Sequence, residues 1–123
     1  MNRRIVRGQQ AHKRGHFSEY IALIHLMLTG HRILGFRLKT PAGEIDILAL
    51  KRRRLIMVEV KQRRTVEEAL EAVGPIQRER LWQAGLRLQA QRPALKGFDL
   101  GLDLYVIAPG KWPRHVVNAF EGS

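Results

Sequence analysis

Apolar residues fall into distinct patterns along this chain. Between positions 17 and 28 they recur at spacings of three and four (Phe17, Tyr20, Ile21, Leu23, Ile24, Met27, Leu28), which predicts a buried helix stopped by Gly30. Residues 33–39 alternate loosely, as in a strand, and run into a Pro41-Ala42-Gly43 turn. Residues 44–50 and 55–60 are the strongest strand signals, and the polar block Lys51-Arg52-Arg53-Arg54 between them predicts a tight antiparallel hairpin. Thr65-Val66-Glu67-Glu68 has capping-box spacing, in which side chains satisfy backbone N–H groups orphaned at a helix start. A short helix should follow through Val73. Gly74-Pro75 breaks it and opens a second helix to about Ala90, with Leu81, Ala84 and Leu88 facing inward. Residues 102–108 read as a further strand, and 115–120 as a short edge strand.

Residues 1–15 are polar and basic, with Gly8 and Gly15, and predict a flexible arm ahead of a single domain at 16–123. The order helix, three antiparallel strands, helix, strand predicts an α/β fold with a mixed sheet flanked by helices. No stretch has the ~20 apolar residues that crossing a bilayer takes, no secretory signal is visible, and the absence of cysteine excludes disulfides and Cys-ligated metals. A soluble protein of the reducing cytoplasm is expected.

Charge changes the picture. Lys and Arg outnumber Asp and Glu by 22 to 11, for a net charge of +11. The cations are clustered: Arg3, Arg4, Arg7, Lys13 and Arg14 precede the first acid, and blocks follow at 51–54 and at Lys61, Arg63 and Arg64. Arginine dominates, which suits forked contacts to phosphate, and the blocks sit at an arm and at turns with no apolar anchor face. A nucleic acid is therefore the expected partner, rather than a membrane.

In so basic a chain, acids embedded in apolar elements are the ones to explain. Glu19 lies in the first helix, Glu44 and Asp46 in one hairpin strand, and Glu59 in the other. If Arg52-Arg53 form the loop, partner numbers add to 105, which sets Asp46 opposite Glu59 on one face and Glu44 opposite Lys61. Opposed carboxylates repel unless something positive lies between them, and Mg²⁺ typically takes one or two carboxylates with phosphate and water oxygens. Lys61 would set an ammonium beside that cation. A cation and a fixed positive charge are the minimum equipment for phosphodiester hydrolysis. Singly, each residue has a plainer reading: Glu44 with Lys61 as a cross-strand ion pair, Glu19 as a helix-start carboxylate. His12 and His16, with Glu19, have zinc-site spacing only if a helix forms there, and Gly15 argues against one. His25, His31 and His115 have no partner assignable from sequence.

The run Gly15-x-x-x-Glu19-x-x-Ala22-x-x-x-Leu26-x-x-x-Gly30, then Gly43-Glu44-Ile45-Asp46, then Val58-Glu59-Val60-Lys61-x-Arg63, resembles the YraN family of bacterial endonuclease-like proteins. That family is similar to Holliday-junction resolvases of the PD-(D/E)xK nuclease superfamily. The resemblance spans about Gly15 to Phe120 and implies a restriction-endonuclease-like core. It makes Asp46 and Glu59 metal-binding acids with Mg²⁺ or Mn²⁺, the Val60 carbonyl a third oxygen ligand, Lys61 the group that positions the attacking water, and Glu19 the helix acid. Gln77 stands where related chains often carry Lys near the start of the following helix, with Arg78 or Arg80 as alternative charges. The implied activity is metal-dependent cleavage of DNA, branched or otherwise structured, with Arg52, Arg53, Arg54, Arg63, Arg64 and the arm gripping the backbone. A homodimer is plausible by analogy. The alternatives are a non-catalytic nucleic-acid-binding protein of the same fold and a basic ribonucleoprotein adaptor.

Overall fold

The computed structural model describes the backbone of residues 3–120 and the side chains of residues 16–120. A helix α1 (Arg3–Leu28) precedes three strands, β1 (Arg32–Thr40), β2 (Gly43–Lys51) and β3 (Arg54–Gln62). A short helix α2 (Val66–Glu71), a longer α3 (Pro75–Gln91) and a single 3-10 turn at Pro93–Leu95 lead to β4 (Asp99–Ile107) and β5 (Arg114–Val116). All five strands form one sheet in the order β1-β2-β3-β4-β5. The first three pair antiparallel, β4 joins β3 in parallel after the helical crossover, and β5 returns antiparallel along β4. A mixed sheet with helices against it is thus what the chain forms.

Several boundaries differ from the sequence pattern. The first helix begins at Arg3 rather than near position 17, so helical backbone runs through the stretch read as an arm. Arg, Gln, Ala and Lys there are sound helix formers, and Gly8 and Gly15 each cost only about 1 kcal/mol. Lys13, Arg14 and His12 lie outside the residues with described side chains. The inner face of α1 is also narrower than its composition suggests. Ser18, Ala22 and Leu26 are buried, whereas Phe17, Tyr20, Ile24, Met27 and Leu28 stay half or more exposed. An i, i+4 row of small and medium residues packs closest to the sheet, leaving a second apolar row outside. β4 begins three residues earlier than expected, and β5 covers only Arg114–Val116, because the chain turns at Asn118.

The Thr65 hydroxyl accepts the Glu68 N–H at the start of α2, as its capping spacing predicts. The hairpin has the register set by an Arg52-Arg53 loop, from Lys51↔Arg54 to Ile47↔Val58, with Arg52 left-handed at φ 56°. One face of the sheet packs Leu48, Leu55, Met57 and Leu102 against Leu81, Ala84 and Leu88 of α3. The other packs Ile47, Ala49, Ile56 and Tyr105 against Ala22 and Leu26 of α1. Gly85 lets α3 lie this close, since a Cβ there would meet Met57 Sδ at 2.5 Å.

Alternation fails at the register shift between Ile33 and Gly35 of β1, and again further along the same strand pair. Ile47 and Phe36 join the α1-side cluster, yet Ile45 and Leu38, two residues away, join the α3-side cluster. Between them lie Asp46 on β2 and Arg37 on β1, the latter at φ 51°. A left-handed residue in a strand resets which face its neighbours take. That kink lies beside Asp46.

Candidate functional site

Beyond Ile47↔Val58 the β2–β3 ladder gives way to side-chain bonding: the Val60 N–H donates to Asp46 Oδ2 at 2.9 Å. Asp46 and Glu59 nonetheless converge. Both line an open cavity of about 650 Å³ between the hairpin and α3, whose other walls include Glu44, Gln77 and Arg80. Glu59 is buried, with 4% of its surface exposed. Its Oε1 accepts the Gln77 side-chain N–H at 3.0 Å and lies 3.3 Å from Lys61 Nζ. Lys61 therefore pairs with Glu59 on its own strand, not with Glu44 across the hairpin, because the ladder that would oppose 44 and 61 does not extend so far.

The electrostatics are strained. Burial, then the Asp46 charge, push the Glu59 carboxyl up to about 7, with Lys61 pulling the other way. Burial pushes Asp46 up to about 6, against the Val60 hydrogen bond, with Glu19 and Glu44 adding repulsion and Lys61 relieving it. Burial first, and mutual repulsion after it, thus raise the proton affinity of both acids by more than Lys61 and the Val60 N–H lower it.

Glu19 reaches this neighbourhood from α1, but its Oε2 accepts from Arg37 Nε at 2.7 Å. Arg37 escaped notice in the sequence because a basic residue in a loosely alternating strand reads as solvated surface; nothing in the pattern announces its left-handed backbone. Among the described residues no three His, Asp or Glu side chains form a metal cage by themselves. The α1 backbone is helical where His12 and His16 were expected not to share a helix face, and His12 lies outside the described side chains.

The arginines divide. Arg52, Arg53, Arg63 and Arg64 are exposed, and Arg64 lines a small cleft with Lys111, Trp112 and Arg114. Arg80 opens on the carboxylate cavity, while Arg78 lies on the other flank of α3. Arg54 turns inward instead, its Nη2 donating to Asp103 Oδ1 at 2.8 Å and to Asn118 Oδ1 at 2.9 Å. Asp103 is fully buried and was missed, although an Asp inside the apolar run LDLYVIA meets the same criterion that singled out Asp46 and Glu59. Burial would raise its carboxyl, but bonds from His115, Arg54 and the Asn118 N–H hold it below the ordinary range. The histidines also find partners: His115 Nε2 lies 2.6 Å from Asp103 Oδ2, His25 Nδ1 2.5 Å from the Tyr105 hydroxyl, and His31 Nδ1 3.2 Å from the Leu26 carbonyl. No helix is long and apolar enough to cross a membrane among the described residues.

Comparison with known proteins agrees over most of the chain. A UPF0102 protein of Caulobacter vibrioides (strain NA1000 / CB15N) is 52% identical over 117 residues, covering 95% of this chain and 94% of the relative. A UPF0102 protein of Caulobacter sp. (strain K31) is 50% identical over 117 residues, covering 95% and 84%. One from Maricaulis maris (strain MCS10) is 41% identical over 107 residues, covering 87% and 84%. The model of the uncharacterised protein family UPF0102 matches residues 18–101, a span holding Glu19, Asp46, Glu59, Lys61 and Gln77, and the chain belongs to that family.

Proposed function

We propose that this protein is a Mg²⁺- or Mn²⁺-dependent endonuclease with a restriction-endonuclease-like core, acting on DNA that is branched or otherwise structured. The observation that carries this is the convergence of Asp46 and Glu59 from neighbouring strands on one cavity, where burial and their mutual repulsion raise both carboxyls. The donor set fits a hard cation: two carboxylates would hold it, with the Val60 carbonyl as the implied third oxygen. When bound, such a cation polarises the phosphate and lowers the pKa of a water nucleophile. Lys61 sets a fixed ammonium beside the reacting phosphate. Gln77 fixes Glu59 in place from the first turn of α3, and Arg37 does the same for Glu19. Arg80 opens on the same cavity and supplies the second charge that Gln77 lacks. Arg52, Arg53, Arg63 and Arg64 grip the backbone without reading bases, so affinity should fall steeply with salt.

One observation favours a second reading. Lys61 and Gln77 both contact Glu59 Oε1, and Arg37 occupies Glu19, as in a closed polar network of a nucleic-acid-binding protein that does not cut. A cleavage panel separates the two: junctions, flaps, nicked duplex and RNA, each with Mg²⁺, Mn²⁺ or chelator. We expect metal-dependent cutting that Lys61→Ala and Asp46→Ala abolish while DNA binding persists. Tight binding with no cutting of any substrate would establish the second reading, and an RNA preference in competition would point to a ribonucleoprotein adaptor. The second apolar row of α1, with five large side chains half or more exposed, is the candidate surface for the expected homodimer.

A further inference from the structure

A second cavity of about 430 Å³ lies on the opposite flank of α3 from the carboxylates. The first two turns of that helix are a partition: Gln77 and Arg80 face one cavity, Arg78 and Trp82 the other. Trp82 and Phe120 supply aromatic walls, and Leu100 and Leu102 contribute to the apolar lining. The Arg78 guanidinium lies 4.9 Å from the centroid of the Phe120 ring, so the aromatic wall carries a cation on its face. Asn118, whose Oδ1 is taken by Arg54, brings its amide to the rim.

The Phe120 wall is held in place by the buried Asp103 cluster, which no part of the carboxylate site uses. Asp103 accepts from the Asn118 N–H at 2.8 Å, Asn118 turns the chain at φ 50°, and the Ala119 N–H donates to the Leu102 carbonyl. Gly101 makes the crossing feasible, because a Cβ there would lie 2.9 Å from Arg54 Nη2 and 3.2 Å from Asn118 Oδ1. A fully buried carboxylate, held by Arg54 and His115, thus fixes the segment that walls one side of the cavity.

We infer that this cavity takes an unpaired nucleobase of the same strand whose phosphate enters the carboxylate cavity. The inference rests on the nucleic-acid reading above. Its chemistry is that of a base site: aromatic walls, a guanidinium over one of the rings, and polar groups from Glu79 and Asn118 that can pair with a base edge. Its volume falls within the range of small-ligand pockets, roughly 300–1,000 Å³. Its position is one helix diameter, about 10 Å, from the carboxylates. A single strand crossing the start of α3 would present a phosphate to one side and a base to the other. Duplex ends, flaps and junctions with frayed bases supply such a strand; continuous duplex does not.

The test is a binding experiment in chelator, independent of cleavage. A labelled single-stranded oligonucleotide and its abasic counterpart are compared by fluorescence anisotropy, and Trp82 emission is read in a Trp112→Phe background, the chain having only two tryptophans. We expect the base-bearing strand to bind about tenfold tighter than the abasic one, in the range that aromatic stacking carries, and to quench Trp82. Trp82→Ala should abolish that preference and Trp82→Phe restore it; Trp82 lies on the helix surface, 38% exposed, so neither change should unfold the chain. Equal affinity for the two strands, a preference that survives Trp82→Ala, or quenching by free deoxyadenosine monophosphate that no strand competes away would each overturn the assignment. A chain that cuts no substrate yet passes this test retains the base site and loses only the nuclease reading.

Discussion

Asparagine at position 46 should make the protein more stable at neutral pH, and the size of the gain follows from the site. Asp46 rises from an ordinary 3.8 to about 6 in the folded protein, and Glu59 from 4.5 to about 7. At about 1.4 kcal/mol per tenfold change in proton affinity, the Asp46 shift alone corresponds to roughly 3 kcal/mol. Because each folded-state value is raised, the native chain binds more protons than the unfolded one between about pH 4 and 7. Stability from these groups is therefore fully present below the unfolded values and is lost as pH rises through the folded ones. Asp46→Asn removes one charge and relieves Glu59 of its neighbour. The loss of a charged acceptor for the Val60 N–H returns about 1 kcal/mol, since the new amide oxygen can still accept that bond. A net gain on the order of 2 kcal/mol at pH 8 remains, or about 5–10 °C in Tm for a domain of this size, shrinking to nothing near pH 4. Thermal melts of wild type and variant from pH 4.5 to 8.5, with chelator, Mg²⁺ or Mn²⁺, measure it. Divalent metal should raise the wild-type Tm increasingly with pH and leave the variant unmoved, because the cation competes with protons for the same oxygens. If wild type and variant lose stability in parallel between pH 5 and 8, the two carboxylates are not the strained pair described here.

Two further outcomes test other parts of the molecule. Asp103→Ala strands Arg54 and His115 without their common acceptor and should cost about 3–5 kcal/mol in urea unfolding. Its pH response is opposite to that of the site: with a lowered folded value, Asp103 stabilises above its unfolded value and loses that contribution as pH falls. A loss under 1 kcal/mol would refute the pinning role. Ile24→Glu with Met27→Glu should convert a dimer into a monomer in sedimentation while the chain stays folded by circular dichroism, because both side chains are about half exposed. A wild-type monomer at tens of micromolar would dismiss the α1 surface.

The hairpin was legible because its two strands are nearly pure apolar runs joined by a short cationic block, so register followed from loop length and pairing obeyed it as far as Ile47↔Val58. Asp46 and Glu59 stood out against that background and meet in one cavity. The ladder could not be read past that pair, since whether an Asp carboxylate will replace a strand carbonyl depends on a kink that strand patterning does not encode. Arg37 shows the same limit: its left-handed backbone and its hold on Glu19 come from tertiary contact across two elements. Helix α1 misled in another way. Seven large apolar residues predict a wide buried face, but the sheet fully buries only the row through Ser18, Ala22 and Leu26, with Ile21 and Leu23 packing at its flanks. Periodicity reports that a helix has an apolar side without reporting how many partners cover it.

The two buried acids, Glu59 and Asp103, show why burial by itself does not separate structure from function. They lie on neighbouring strands of one sheet, Asp103 fully buried and Glu59 nearly so. Asp103 receives donors on both oxygens, from Arg54, His115 and a backbone N–H, and its carboxyl is driven down. Glu59 receives Gln77 and Lys61 on a single oxygen, faces the charge of Asp46, and is driven up. The first balance is what folding alone favours, since a satisfied ion binds three elements together. The second is costly to folding and useful only if a further positive charge arrives, which is the physical reason perturbed acids gather at functional sites. The same sheet thus carries a settled charge that fixes the C-terminal wall and an unsettled pair beside α3, with that helix standing between the two cavities.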